Sequence, residues 1–230
     1  MFALINNKYN SLISKLSEIT TKTVLIHIGK CGGSTVVKEL KRKNIKFTEK
    51  HICKVKFNKT KDYIIVIRNP ISRYISAYNW RYKLVIQDKV QENRFEGEKT
   101  HLEKYKTANQ LAESIYDSNG NQVLDFQNRN FYIHHLKEDI NYYIGDLLNK
   151  CKPENIKVVI ATETLNDDMY EFFNIRVTSH EKKNAKNKDQ ELSELAYRNL
   201  KKYLIKDYDC IDLLREMNKI SDSQYEILSK

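Results

Sequence analysis

The chain contains two segments in which an apolar, β-branched run stops at a short polar turn and then continues with apolar residues at helical spacing. The first covers residues 23–35 and the second covers residues 63–78. This pattern is typical of a strand that leads directly into a helix. Because helix N-termini present unpaired N–H groups and the positive end of the helix dipole, both turns predict anion sites. Two such sites on neighbouring strands suggest one ligand that carries two separated phosphate-like groups.

Alternating strand and helix signals along the rest of the chain predict an α/β fold. Further strands are predicted at 45–49 and 156–161, and residues 86–135 are expected to form helices and loops over the rim of the sheet. Helices are predicted at about 12–19, 33–42, 70–83, 169–172, 190–205 and 208–220. This order implies a mainly parallel sheet with helices on both faces, whose ligands bind at the carboxyl ends of the strands. Since the 230 residues contain no linker or repeat, we predict a single domain over 1–230.

The net charge and the cysteine content limit the classes of binding partner and the cellular compartment that we expect. Forty Lys and Arg against thirty acidic residues give a formal charge of +10, which favours anionic partners without choosing among nucleic acid, an anionic glycan and a nucleotide. The four cysteines are widely spaced and form no CxxC pair, so reduced thiols are expected. No stretch approaches the length of a membrane span, and the opening residues are too short for a signal-peptide core. A soluble, cytoplasmic protein is therefore the expectation.

The first turn, residues 29–35, differs from the familiar nucleotide-binding loops. A Walker A motif places its lysine after the second glycine, whereas Lys30 precedes the pair Gly32-Gly33, and no GxGxxG is present. An ordinary kinase or ATPase is therefore disfavoured, and a dinucleotide oxidoreductase has no support. The N–H groups near residues 32–35 can still cradle a phosphate-like group beside the charge of Lys30.

At this point two motifs resemble those of the sulfotransferases that use 3′-phosphoadenosine 5′-phosphosulfate (PAPS), especially the carbohydrate-modifying branches. Residues 27–35, His-Ile-Gly-Lys-Cys-Gly-Gly-Ser-Thr, resemble the 5′-phosphosulfate loop of that family, and residues 67–78 resemble its 3′-phosphate motif. Weaker similarities lie at 158–165 and 180–186. Gly29 stands where proline is usual, which is expected to loosen the entry of the loop. The resemblance implies a P-loop-like three-layer fold, PAPS as the cofactor, 3′,5′-adenosine bisphosphate (PAP) as the product, and no metal.

The resemblance also implies roles for individual residues. Lys30 is expected at the leaving oxygen and the sulfonate. The 5′-phosphate side of the cofactor site is assigned to Lys30, Cys31, Gly32, Gly33, Ser34 and Thr35, the 3′-phosphate side to Arg68 and Ser76, and the closing basic loop to Lys182, Lys183 and Lys186. The acceptor is expected to be a hydroxyl of a glycan or glycoconjugate, with no specific nucleic acid as partner.

A general base must take the proton of the acceptor hydroxyl, and it should lie at a strand end that faces the loop. His51 is the first choice and Glu49 the competitor. The acceptor is expected to contact Trp80 and Arg81, while Arg73 is equally compatible with a ligand contact and with a surface ion pair. His27 is expected to be structural. The pair His134-His135 raises the question of a metal, but no matching Cys/His spacing accompanies it.

Two other functions stay open. A divergent kinase of a small molecule or nucleoside would explain the phosphate loop but has no need of the second motif. A basic nucleic-acid-binding protein would explain the charge, although no DNA- or RNA-binding motif is present and the positive charge is not confined to one segment.

Overall fold

The computed structural model describes residues 22–128, 132–178 and 191–230. Its centre is a sheet of four parallel strands in the order β2-β1-β3-β4. The strands are β1 (Thr23–His27), β2 (Thr48–His51), β3 (Asp62–Ile67) and β4 (Ile156–Ala161). His27 pairs with His51 on one side and with Val66 on the other, so three strands end at the same edge. The apolar side chains of β1 and β3 are buried, as expected for strands covered on both faces.

Nine α-helices and two short helical turns flank this sheet in the described part of the chain. The helices are α1 (Gly33–Arg42), α2 (Pro70–Tyr82), α3 (Glu98–Lys104), α4 (Ala108–Glu113), α5 (Ile140–Leu148), α6 (Leu165–Phe173), α7 (Glu194–Tyr203), α8 (Ile205–Glu216) and α9 (Asp222–Ser229). A π-helical turn, Lys83–Gln87, continues α2, and a 3₁₀ turn, Pro153–Asn155, precedes β4. Among the described helices, none has the length and apolar character needed to cross a membrane.

The α/β class and the parallel sheet confirm the sequence prediction, and the bounds of α1 and β4 agree with it. The second strand was misplaced: it covers Thr48–His51 instead of 45–49, so that His51 is its last residue. The expected helix over 190–205 begins only at Glu194, after the cap residue Ser193, and ends at Tyr203. The predicted N-terminal helix at 12–19 and the basic loop at 179–188 lie outside the described residues.

Two helices, α5 and α9, were missed. For α5 the sequence does contain a helix-start signal, since Asp139 is a favourable N-cap residue. In the structure, Asp139 caps the helix by accepting a hydrogen bond from the N–H of Tyr142. Its apolar residues recur at helical spacing, and they pack α5 against α8. For α9, Ser221 and Gln224 form a capping box.

Candidate functional site

The loop between β1 and α1 has the backbone form of an anion-binding turn. Lys30 and Gly32 both adopt left-handed φ values, 70° and 74°, and Gly32 is the N-cap residue of α1. No side chain caps this helix. Within the part of the chain that the structure describes, the N–H groups of Gly32, Gly33 and Ser34 have no acceptor. The first turn of α1 therefore presents three donors and a positive dipole end at the edge of the sheet.

Two N–H groups are already used inside the loop, and that of Thr35 is one of the expected phosphate donors. The N–H of Cys31 donates to the carbonyl of Ile28 at 3.3 Å, and that of Thr35 donates to the carbonyl of Gly32 at 3.0 Å. Cys31 is fully buried, and desolvation raises the pKa of its thiol to about 12. Cys31 therefore packs beneath the loop, and the expected cofactor contacts of Cys31 and Thr35 stay predictions.

Glycine is required at two positions by close contacts. A Cβ at Gly33 would overlap the imidazole of His27, and a Cβ at Gly29 would lie 2.9 Å from Nδ1 of His135 and 3.1 Å from the hydroxyl of Tyr143. The space beside Gly29 is filled by these two side chains. Side chains therefore pack closely around the loop entry, and the expectation that Gly29 loosens it stays a prediction.

His27, Glu49 and His51 form one hydrogen-bonded group at the ends of β1 and β2. The imidazoles of His27 and His51 stack with their centroids 3.9 Å apart. Nδ1 of His27 lies 2.8 Å from Oε1 of Glu49, and Nδ1 of His51 lies 2.8 Å from the carbonyl oxygen of His27. Since a carbonyl only accepts, Nδ1 of His51 carries the hydrogen, and a neutral ring then keeps its lone pair on Nε2. The exposed His51 therefore presents Nε2 as a hydrogen-bond acceptor when its ring is neutral.

Arg68 connects the end of β3 to the loop. Its Nη1 donates to the carbonyl of Lys30 at 3.3 Å, whereas its buried Nε has no hydrogen-bond acceptor and lies 3.8 Å from Oε1 of Glu163. The same oxygen accepts from the N–H of Asn69 at 3.2 Å. Desolvation raises the pKa of Glu163. The Arg68 guanidinium is thus held at the site by Nη1, while its Nε–H group has no hydrogen-bond acceptor.

One face of α2 lies against the loop. Arg73, Ser76 and Trp80 are spaced by three and four residues, which places them on one side of the helix. The Nζ atom of Lys30 lies 4.6 Å from the ring centroid of Trp80, a cation–π contact. The structure therefore brings together three of the predicted residues, Lys30, Arg68 and Trp80, while Ser76 is buried on the same helix face as Trp80.

The two arginines expected near the acceptor are instead buried. Arg73 is 2% exposed and donates from Nη2 to the carbonyls of His135 and Glu138. Arg81 is 1% exposed and forms a double hydrogen bond with Glu98, at 2.9 and 2.6 Å. Both guanidinium groups are therefore held away from solvent, although the buried Nε of Arg73 has no hydrogen-bond partner. Burial corrects the expectation that Arg73 could form a surface ion pair, and the acceptor contacts of both arginines stay predictions.

Three side chains at the site were not assigned from the sequence: Glu163, His135 and Tyr143. Glu163 lies just after the strand at 156–161, so its place at the strand edge was a usable signal. His135 and Tyr143 carried none, because they reach Gly29 from a segment more than one hundred residues further along the chain. The basic residues Lys182, Lys183 and Lys186 lie outside the described residues.

No family model, curated protein or solved structure matches this chain. What the structure establishes is the class: an α/β protein with an all-parallel sheet flanked by helices.

Proposed function

We propose that the protein transfers a sulfuryl group from PAPS to a hydroxyl of an acceptor, with a carbohydrate as the acceptor class, on a P-loop-like three-layer fold. One observation carries the proposal. Lys30 and Arg68 come from the ends of two neighbouring strands, and they meet at the open N-terminus of α1 with Nη1 of Arg68 on the carbonyl of Lys30. Two cationic groups and three free N–H donors at one edge suit a nucleotide with two separated anionic groups.

The proposed reaction requires little covalent chemistry from the protein itself. The acceptor oxygen forms a bond to sulfur while the bond from sulfur to the phosphate oxygen breaks, and PAP leaves. As in phosphoryl transfer, positioning and charge stabilisation supply most of the acceleration. Lys30 would stabilise the negative charge that develops on the leaving oxygen. The proton of the acceptor hydroxyl would pass to Nε2 of His51, the nitrogen that its contact with His27 leaves unprotonated.

The nucleotide preference tests this proposal directly. We expect PAP to raise the thermal stability of the protein more than ADP or ATP with magnesium, by about 2.7 kcal/mol at a hundred times the dissociation constant. Arg68→Ala should weaken PAP binding by about 1.5–3 kcal/mol, because a charge-assisted hydrogen bond is lost. Differential scanning calorimetry measures the stabilisation, and isothermal titration calorimetry measures the change in PAP affinity.

Arg215→Ala is the matched control for Arg68→Ala, since Arg215 pairs with Asp222 on an exposed surface. It removes the same charge and should leave PAP binding unchanged. Stabilisation by ATP with magnesium alone would contradict the sulfotransferase proposal and favour the kinase. Salt-sensitive binding of oligonucleotides that survives Lys30→Ala would favour the nucleic-acid-binding alternative.

The general base can be assigned by two substitutions. His51→Ala should lower turnover about 10²–10⁴-fold, the usual contribution of a general base, with little change in PAP affinity. Glu49→Gln should cost much less, because the amide oxygen still accepts the hydrogen bond from Nδ1 of His27. Steady-state rates of PAP release measure both, and the reverse order of effects would make Glu49 the base.

A further inference from the structure

We propose that His134, His135 and Glu138 form a binding site for a divalent transition-metal ion of the zinc type. This inference goes beyond the proposed function and does not depend on it. One nitrogen of each imidazole and one carboxylate oxygen lie within 4.8 Å of one another, and all three residues are buried. Two imidazoles and a carboxylate are a known ligand set for Zn²⁺, with one position left for water or another ligand.

The spacing of two ligand atoms already fits a coordinated ion. Nδ1 of His134 lies 3.4 Å from Oε2 of Glu138. Two ligands of a tetrahedral ion with bonds of about 2.0–2.1 Å are separated by about 3.3–3.4 Å.

The backbone turns consecutive histidines to the same side. Side chains of neighbouring residues in an extended chain point in opposite directions. His135 instead has a left-handed φ of 68°, and the rings of His134 and His135 lie with centroids 4.1 Å apart. A left-handed conformation is unfavourable for a residue with a Cβ, and such conformations concentrate at functional sites.

One polar atom of the cluster lacks the partner that burial demands. Nδ1 of His135 is buried and has no hydrogen-bond partner. Burial costs free energy for an unpaired polar atom. Coordination of a divalent cation by this nitrogen would remove that cost.

One hydrogen bond holds the carboxylate ligand in place. The N–H of His135 donates to Oε2 of Glu138 at 2.8 Å. Outer contacts of this kind orient ligands at metal sites. The hydroxyl of Tyr132 lies 3.2 Å from Nδ1 of His134 and would give up this contact when that nitrogen binds an ion.

The sequence expectation of no metal rested on the resemblance and on the absence of matching Cys/His spacing around His134-His135. The missing ligand is Glu138, which a turn brings back onto the two rings. Because Nδ1 of His135 also faces Gly29, a bound ion would fix residues 132–138 against the loop that precedes α1.

The test is a titration of the chelator-treated full chain with Zn²⁺, followed by calorimetry and elemental analysis. We expect one ion per chain. Glu138→Gln, which keeps the acceptor for the N–H of His135, should lower the affinity at least tenfold, and His134→Asn should do the same. His101→Ala, a histidine substitution outside the cluster, should stay within twofold of the wild type.

Absence of stoichiometric binding, or wild-type affinity in both cluster variants, would overturn the proposal and leave a neutral hydrogen-bonded network. If the variants fail to fold, Co²⁺ in the wild-type chain decides instead. Visible absorption of a four- or five-coordinate ion without thiolate charge transfer supports the cluster, whereas thiolate bands would place the metal on a cysteine and overturn it.

Discussion

Lys30→Ala is expected to reduce turnover by about 10²–10³-fold, equivalent to about 2.7–4 kcal/mol of transition-state stabilisation. The reason is that Lys30 belongs to the loop that leads into the open N-terminus of α1, where the proposed mechanism develops negative charge on the leaving oxygen. Since the effect falls on the transition state, PAP affinity should fall much less than turnover. Single-turnover rates, together with PAP titration of the same variant, separate the two.

Lys41→Ala provides the matched control, because Lys41 lies on an exposed position in the last turn of the same helix. It changes the net charge equally and should leave turnover unaffected. Equal losses in both variants would mean that overall charge, and not the position of Lys30, governs the activity. Retained activity in Lys30→Ala would remove the central residue of the proposed mechanism.

Glu98→Gln is expected to destabilise the protein by about 3–5 kcal/mol. Glu98 and Arg81 are nearly inaccessible, with side chains 1% and 2% exposed, and their two hydrogen bonds tie α3 to α2. Oε1 of Glu98 also accepts from the N–H of His134 at 2.8 Å. The amide would leave the guanidinium of Arg81 buried without a counter-charge. Urea unfolding should show a lower midpoint with an unchanged slope.

Glu103→Gln is the same substitution on the exposed side of α3. Glu103 pairs with Lys99 at 3.6 Å in a solvent-accessible position, and its loss should leave the unfolding midpoint within experimental error. A similar midpoint for the two variants would show that the buried pair contributes no more than a surface pair.

The parts of the fold and site that the sequence predicted are those encoded locally. The loop, α1 and the start of α2 follow from contiguous patterns: apolar strand, polar turn, then helix, with Pro70 at the first helical position. The same patterns placed Lys30 and Arg68 at one edge, because parallel strands end together. His51 was chosen correctly as a strand-end residue although its strand was displaced by about three positions.

The features of the site that the sequence did not predict depend on contacts between distant segments of the chain. The sequence alone suggests that Arg81 is a surface cation on a helix. In the structure, the carboxylate of Glu98 lies against it and makes it a buried ion-pair partner. Arg73 is buried because the carbonyls of His135 and Glu138 come to lie against it. The close packing beside Gly29 likewise depends on the side chains of His135 and Tyr143. No periodicity in the sequence predicts such a contact.

The position of β4 beside β3 has a consequence for the order in which the parts of the sheet fold. Strands β1, β2 and β3 lie within about forty-five residues of chain, whereas the contact between Asn69 and Glu163 spans 94 residues. Closing a longer loop costs more chain entropy, and non-local pairing slows folding. During synthesis, the segment that carries Lys30, His51 and Arg68 emerges long before β4. The carboxylate of Glu163 therefore reaches Arg68 late, and the arginine side of the site is completed only when the last strand docks.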